Sequence, residues 1–352
     1  MILVTGGTGL IGSHLLFELT KKGEKIRALK RVSSNSEMVK KVFSYYLDHP
    51  DQALSLIEWF DGDITDPVYV HEALDGIRRV YHTAGFVSFD SADKPAILNI
   101  NVRGTAHIVN ACIENEIEKL CFVSSSSAIG VAIPGETLNE EIFWSGPGKD
   151  SIYAISKYQA EMEVWRGINE GLNAVIVNPT IIIGPGDWKR SSLRLFSEVH
   201  KGLRFYTEGI TGYVDVRDVV KAMILLMEGK FSGERYILSS ENHSYREILS
   251  MIAESLGKKP PTIYATPLMI RTAFYMDWLR AFLTSGKKRI AKDIITASKN
   301  KMLFSNDKIR HATGMEFIPV KDSIKWTAEL FLQDIDRVMS MEAKCRQIIL
   351  KV

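Results

Sequence analysis

Four glycines stand within seven residues near the start of the chain, Gly6, Gly7, Gly9 and Gly12 in TGGTGLIG, and they separate two different patterns. Before them, Ile2–Thr5 reads as a short buried strand; after them, Leu15, Leu16 and Leu19 recur at helical spacing. A strand that passes into a helix through glycines narrows the fold more than any other stretch here. Gly7, Gly9 and Gly12 fit G-x-G-x-x-G, and Gly6, Gly9 and Gly12 fit the wider G-x-x-G-x-x-G. In either reading the missing Cβ atoms permit a tight turn and the close approach of a pyrophosphate, which the free N–H groups and positive dipole end of the helix would attract. Glycine content alone does not distinguish this cradle from a plain connection. Its place directly after a strand favours the cradle, with Gly6, Thr8, Gly9, Leu10, Ile11 and Gly12 as its contacts.

Strand and helix patterns then alternate, which predicts a doubly wound parallel sheet of the Rossmann type, an α/β fold with a smaller, mostly helical C-terminal part. Further strands are expected at Lys25–Leu29, Leu56–Phe60, Arg79–Thr83, Lys119–Ser124, Ala174–Val177 and Glu234–Leu238. Helices are expected at Gly12–Lys22, Pro67–Leu74, Asn99–Asn115, Tyr153–Glu170, Leu193–Lys201, Val216–Met227 and Tyr245–Leu256, with an extra surface helix inside the long connection Ser33–Ser55. The alternation loosens after Asn178. Residues 1–178, with a contribution from 213–240, are therefore expected to form the dinucleotide half, 179–330 the substrate half and 331–352 a helical tail.

With 352 residues, 45% of them hydrophobic, the chain can bury a large core. Its 44 basic and 42 acidic residues leave no global field for nucleic acid and point to small-molecule chemistry. Cys112, Cys121 and Cys345 have no metal-type spacing, so no metal site is expected. The strand at Ile2 and the lack of a long uncharged apolar run predict a cytoplasmic protein without stable membrane insertion. Pro267–Leu283 reads as an amphipathic helix, whose apolar positions Met269, Ala273, Met276, Leu279 and Leu283 are expected to cover the chain's own pocket; shallow membrane contact through Phe274, Trp278 and Phe282 is the alternative.

The end of the second strand, KIRALKRVSSN, places Lys30 where an acid would hold the ribose of NAD, followed by Arg31, Ser33 and Ser34. A guanidinium and hydroxyls suit a phosphate, so NADP(H) is favoured and NAD(H) is the alternative. Downstream, SIYAISKYQAE sets Tyr153 and Lys157 four apart, on one face of a helix. An ammonium beside a phenol favours the phenolate and eases proton exchange with a substrate oxygen. The apolar strand in KLCFVSSSSAIG ends in four serines, whose hydroxyls would face the ligand crevice.

Taken together, TGGTGLIG, GDITD, HTAG, NVRGTAHIVNAC, VSSSSAIG, YAISK and NPTIIIGPGD occur in the order and spacing of an extended short-chain dehydrogenase/reductase, and the chain resembles that family over about residues 1–330. The resemblance implies Ser125, Tyr153 and Lys157 as the catalytic group, Ser125 because it precedes Gly130 by five, with Ser126 as the fallback. It also implies that Asp63 and Ile64 flank the adenine, that Thr83, Ala84 and Gly85 line the cofactor, and that Pro179 and Ile182 approach the nicotinamide. Asn101 matches the family's helix asparagine, in a direct or a structural role. Arg31, 19 residues after Gly12, looks like the phosphate-binding arginine of the dihydroflavonol-reductase-like branch, whereas sugar enzymes typically carry an acid one position earlier. Thr211 replaces the arginine with which nucleotide-sugar enzymes grip phosphates. The resemblance therefore favours reversible hydride transfer to a carbonyl, or from an alcohol, of a small, fairly apolar substrate. A nucleotide-sugar epimerase or dehydratase is the alternative, and a non-enzymatic NADP-sensing module a third reading. It further implies a homodimer through the helices near 99–115 and 153–170. Phe86, Phe89, Ile129, Phe143, Trp144, Trp188 and Tyr213 suggest an apolar cavity, with core packing the competing reading for each.

Overall fold

The computed structural model describes residues 1–88, 90–130, 136–142, 144, 151–284 and 300–349. Seven parallel strands form its central sheet: β1 (Ile2–Thr5), β2 (Ile26–Lys30), β3 (Ile57–Asp61), β4 (Arg79–His82), β5 (Lys119–Val123), β6 (Ala174–Pro179) and β7 (Glu234–Leu238). Across the sheet they lie in the order β3, β2, β1, β4, β5, β6, β7. The chain builds outward from β1 to β3, then returns to β4 on the other side of β1. That reversal opens a crevice at the carboxyl ends of β1 and β4, where doubly wound sheets bind ligands.

Strand periodicity divides the apolar residues between two faces. Ile2, Val4, Cys121, Val123, Val175 and Val177 pack into one core, with α1 (Leu10–Lys21) and the helix Val216–Glu228. Leu3, Leu120, Phe122, Ala174 and Ile176 pack into the other, with α2 (Gly104–Glu114) and α3 (Ile152–Asn169). Both faces are covered, which is why these strands read as continuous apolar runs.

The helix expected to start at Asn99 starts earlier: Lys94–Leu98 is already α-helical and passes through a π-helical turn, Asn99–Arg103, into α2 at Gly104. Within Ser33–Ser55 the extra helix forms at Glu37–Phe43 and buries Val39, Val42 and Phe43. Beyond β6 lies a three-stranded sheet that the strand and helix pattern does not predict, in which Ile210–Asp215 pairs parallel with Ile181–Ile183 and antiparallel with Glu241–Ser244. Ile181–Ile183 is only three residues long, Glu241–Ser244 is polar throughout, and Ile210–Asp215 is interrupted by Thr211 and Gly212, so none of the three carries a strand pattern. A third core assembles here from Ile183, Phe196, Tyr213, Ile252 and Phe331 among others. The helix Val320–Ile349 closes the described chain.

Of the stripe in Pro267–Thr284 expected to face inward, Met269, Ala273 and Met276 are exposed, the two methionines at 41% and 68%, and among the described residues Ile270 and Asp277 are buried instead. Helical spacing had fixed a stripe without fixing which edge of the helix meets the protein. The side chains of Phe274, Trp278, Leu279, Phe282 and Leu283 lie outside the described residues, as do Phe89 and Phe143. Among the described residues no helix is long and apolar enough to cross a membrane.

Candidate active site

Each glycine of the opening turn meets a different demand. Gly6 has φ +71°, and a Cβ there would lie 2.6 Å from Ala84 N, so the turn crosses against the end of β4. Gly12 sits so close beneath the turn that a Cβ would stand 2.2 Å from Gly6 O. Gly9 donates to Gly6 O at 2.9 Å and is itself exposed. As the N-cap of α1, Gly9 contributes no side chain to the helix end, so the first-turn N–H groups at Leu10, Ile11 and Gly12 have no side-chain cap. An uncapped helix end behind an open glycine turn fits the pyrophosphate of a dinucleotide. Gly6, Gly9 and Gly12 are thus the triplet that shapes the turn, and Gly7 packs against Leu16.

At the end of β2 the two cations part. Lys30 forms an ion pair with Asp61 at the end of β3, with only 16% of its side chain exposed, while Arg31 is exposed and has no ion pair among the described residues. Asp63 accepts the N–H and hydroxyl of Thr65, each at 2.9 Å, and Ile64 buries its side chain against Gly104 while its carbonyl is hydrogen-bonded to His107 Nδ1 at 3.0 Å. Thr83 donates to Thr5 O at 2.7 Å, which holds the Thr83–Ala84–Gly85 segment beside the glycine turn. Pro179 ends β6, fully embedded, and half-buried Ile182 packs on the first core.

The three residues named for catalysis converge at the end of β5. The hydroxyl of Ser125 accepts the Ser127 N–H at 3.2 Å and is hydrogen-bonded to the phenol of Tyr153. Lys157 is buried and donates from Nζ to Val123 O at 2.7 Å, 4.7 Å above the ring of Phe122. Burial lowers its pKa to about 8, opposed by the charge of Glu161. Tyr153 differs from expectation: burial raises its pKa above the ordinary phenol value, and the force that opposes this is the Ser125 hydrogen bond, not the ammonium. The helical spacing is right, but Lys157 leans to the β5 carbonyl. Ser126, the fallback, begins a short 3-10 turn, and Gly130 has φ +107°.

Two polar networks that sequence reasoning did not assemble support this group. Ala84 N–H donates to Thr5 Oγ1 (3.3 Å), Thr5 to His82 Nδ1 (2.6 Å), His82 Nε2 to Thr105 Oγ1 (3.0 Å) and Thr105 to Asn101 O (2.6 Å). The chain closes with one proton per link only if His82 is neutral, and burial does hold its pKa near 3. Asn101 then takes the Phe86 N–H at 2.7 Å and donates to Phe86 O at 3.1 Å and Ser156 Oγ at 2.9 Å, while Ser156 donates to Tyr153 O at 2.8 Å. The π-helical turn presents Asn101 between the loop after β4 and α3, a structural bracket for Tyr153. The second network surrounds Glu161, whose four-residue spacing from Lys157 in YAISKYQAE was its signal.

The candidates for an apolar cavity occupy different environments. Ile129 and Tyr213 are fully buried, and Trp188 packs on Phe196 and Phe331 with its Nε1 donating to Asp334 at 2.6 Å. Of the described candidates, Phe86 and Trp144 remain half-buried, the latter stacked on Tyr158 at 4.8 Å. Thr211 is buried in its strand.

Residues 2–238 match the NAD dependent epimerase/dehydratase family. The chain is 30% identical to Sterol demethylase protein B of Methylococcus capsulatus over 275 residues, 76% of this chain and 78% of that one. It is 28% identical to the bifunctional dihydroflavonol 4-reductase/flavanone 4-reductase of Malus domestica over 267 residues, 72% and 75% of the two chains. The crystal structure of gox2253 superposes with a TM-score of 0.78 at 28% identity, covering 95% of this chain and 98% of that one. The chain belongs to the NAD dependent epimerase/dehydratase family, the extended short-chain dehydrogenase/reductases, and is an NAD(P)-dependent oxidoreductase.

Proposed function

We propose that the chain is an NADP(H)-preferring reductase that interconverts a carbonyl and an alcohol on a small substrate with an apolar face. The Tyr153–Ser125 hydrogen bond beside buried Lys157 carries this reading. The glycine turn would hold the pyrophosphate, Arg31 the 2′-phosphate, and Lys157 the nicotinamide ribose. The bound nicotinamide supplies or accepts the hydride. In the reducing direction the Tyr153 hydroxyl gives its proton to the substrate oxygen, and the Ser125 hydroxyl donates a hydrogen bond to that oxygen as negative charge develops. Phe86 and Trp144, both half-buried, would offer the substrate apolar contact in this reading. Residues 1–178 with 213–240 form the cofactor half in this reading, and 179–330 the substrate half. A homodimer through α2 and α3 belongs to it as well, with light scattering as its check.

The test is a screen of aldehydes and ketones with NADPH, alongside UDP- and GDP-sugars. NADPH oxidation with carbonyl substrates supports the reductase. Purified protein that retains non-exchanging NAD and interconverts sugar nucleotides overturns it in favour of an epimerase.

A further inference from the structure

Glu161 stands one helical turn beyond Lys157 in α3 and is completely buried. Its Oε2 accepts Ser124 Oγ at 2.6 Å and Asn178 Nδ2 at 2.8 Å; its Oε1 accepts Arg235 Nη1 at 3.2 Å and Trp165 Nε1 at 3.3 Å. A buried carboxylate is tolerated where its lone pairs are filled and a cation is at hand, and both conditions hold here. The donors come from the ends of β5 and β6, from β7 and from α3 itself, so one side chain ties four elements together behind the catalytic group.

Two of these links lead forward to the reacting atoms. The same Asn178 Nδ2 also donates to Ser125 O at 3.1 Å, while Asn178 Oδ1, buried, has no partner among the described residues. The orientation of that amide is therefore set by Glu161 and Ser125 alone; flipped, it would turn a carbonyl oxygen onto a carboxylate. Arg235 spends its remaining donors on Glu140 O (3.0 and 2.8 Å) and Ile142 O (2.7 Å), which anchors the segment between Ser125 and Tyr153. The third influence is electrostatic. Ionisable groups around Lys157 are Tyr153 and Glu161 on its own helix and His82 at the end of β4, with Arg235 and Glu140 beyond Glu161. Of these, Glu161 is the group whose charge favours the ammonium.

We infer that Glu161 is a positioning residue of the active site, serving as the counter-charge of Lys157 and, through Asn178, fixing the main chain that carries the Ser125 hydroxyl. The inference rests on the assignment of Ser125, Tyr153 and Lys157 above, so Tyr153→Phe is run in parallel. If that variant keeps normal turnover, the assignment fails before Glu161 is tested.

The experiment is the pH profile of kcat with NADPH and a carbonyl substrate found in the screen. In the wild type the burial of Lys157 places an alkaline limb near pH 8, above which the ammonium is lost. Glu161→Gln removes the charge that opposes this, so the limb moves down by about one pH unit, and kcat falls roughly tenfold or more from misplacement of Ser125. Glu161→Asp keeps the charge and shortens the reach, so its limb stays while kcat falls. Asn178→Ala removes the amide that bridges Glu161 to Ser125, while Ser124, Trp165 and Arg235 still hold the carboxylate, so kcat falls without the limb moving. A folded Glu161→Gln with the limb in place and kcat within twofold overturns the inference, whatever its melting temperature. Should Glu161→Gln not fold, an unchanged kcat in Asn178→Ala and Glu161→Asp overturns it equally.

Discussion

Arg31→Ala separates the two halves of the cofactor reading. Arg31 follows β2 directly, is exposed, and has no acidic partner among the described residues, whereas its neighbour Lys30 is held by Asp61. A guanidinium–phosphate contact is worth about 1.5–3 kcal/mol, and exposure to solvent screens it, so the lower end applies: about 1.5 kcal/mol, or about tenfold in affinity. Titration calorimetry of wild type and variant with both dinucleotides is expected to show NADP(H) weakened by about that factor and NAD(H) unchanged, the difference shrinking as salt rises. Lys30→Ala is the companion variant. It costs little stability, since an ion pair with a half-exposed carboxylate is worth about 0–1 kcal/mol, but it leaves Asp61 uncompensated at the strand end. The freed carboxylate should repel a 2′-phosphate and lower NADP(H) affinity several-fold without harming NAD(H). Equal losses of NAD(H) and NADP(H) in Arg31→Ala would refute the reasoning. A silent Arg31→Ala beside a selective loss in Lys30→Ala would move the phosphate contact to Lys30.

Other expectations are more direct. Tyr153→Phe should lower kcat by about 10²- to 10⁴-fold, the usual worth of a general acid, with cofactor binding by fluorescence within a few-fold; near-normal turnover removes Tyr153 from the chemistry. Gly12→Ala pushes a Cβ to 2.2 Å from Gly6 O, so both dinucleotides should lose affinity alike, and selective loss of one contradicts the cradle. His82 has a folded-state pKa near 3 against 6.5 for the free side chain, so its contribution to stability is complete above pH 6.5 and disappears as pH falls towards 3, by about 5 kcal/mol in all. Chemical denaturation of His82→Gln between pH 7 and 4 should show a shallower acid slope than wild type, and an unchanged slope assigns the acid sensitivity elsewhere.

What the sequence reveals follows the range of the physics involved. The glycine turn is legible because its demands are local: a positive φ at Gly6 and a contact between Gly12 and Gly6 involve residues six apart. The central strands β1, β5 and β6 are legible because burial on both faces makes them nearly continuous apolar runs, whereas β2 and β3 towards the sheet edge include charged residues. KIRALKR sets two cations side by side, and only the pairing of β2 with β3 shows that Lys30 is taken by a residue 31 positions on. Trp188 and Tyr213 read as pocket candidates since an aromatic side chain looks the same on either side of a core, and Asp334, which takes the Trp188 N–H, lies 146 residues away. The exposed edge of Pro267–Thr284 failed for the same reason: a periodic stripe has no sign until its neighbours are known.

The placement of the catalytic helix shows why polar groups dominate behind this site. Around its first three turns, α3 buries Ala154, Ser156, Lys157, Ala160 and Glu161, whose only apolar side chains are two alanines, so little apolar surface is available to fix its rotation or its height against the sheet. Apolar packing alone would tolerate a small slide or turn of such a face. Hydrogen bonds do not, because angle and distance both decay steeply. Asn101 grips the helix at Ser156 from the β4 side, and Asn178 with Arg235 grips it at Glu161 from the β6 and β7 side. Ser156 and Glu161 flank Lys157 in sequence, and Ser156 also holds the main-chain carbonyl of Tyr153. Two brackets of opposite origin thus define the position of the phenol and the ammonium relative to Ser125. Cutting one should leave the fold standing on its apolar cores while the catalytic geometry loosens, which separates the energetics of stability from those of turnover in this chain.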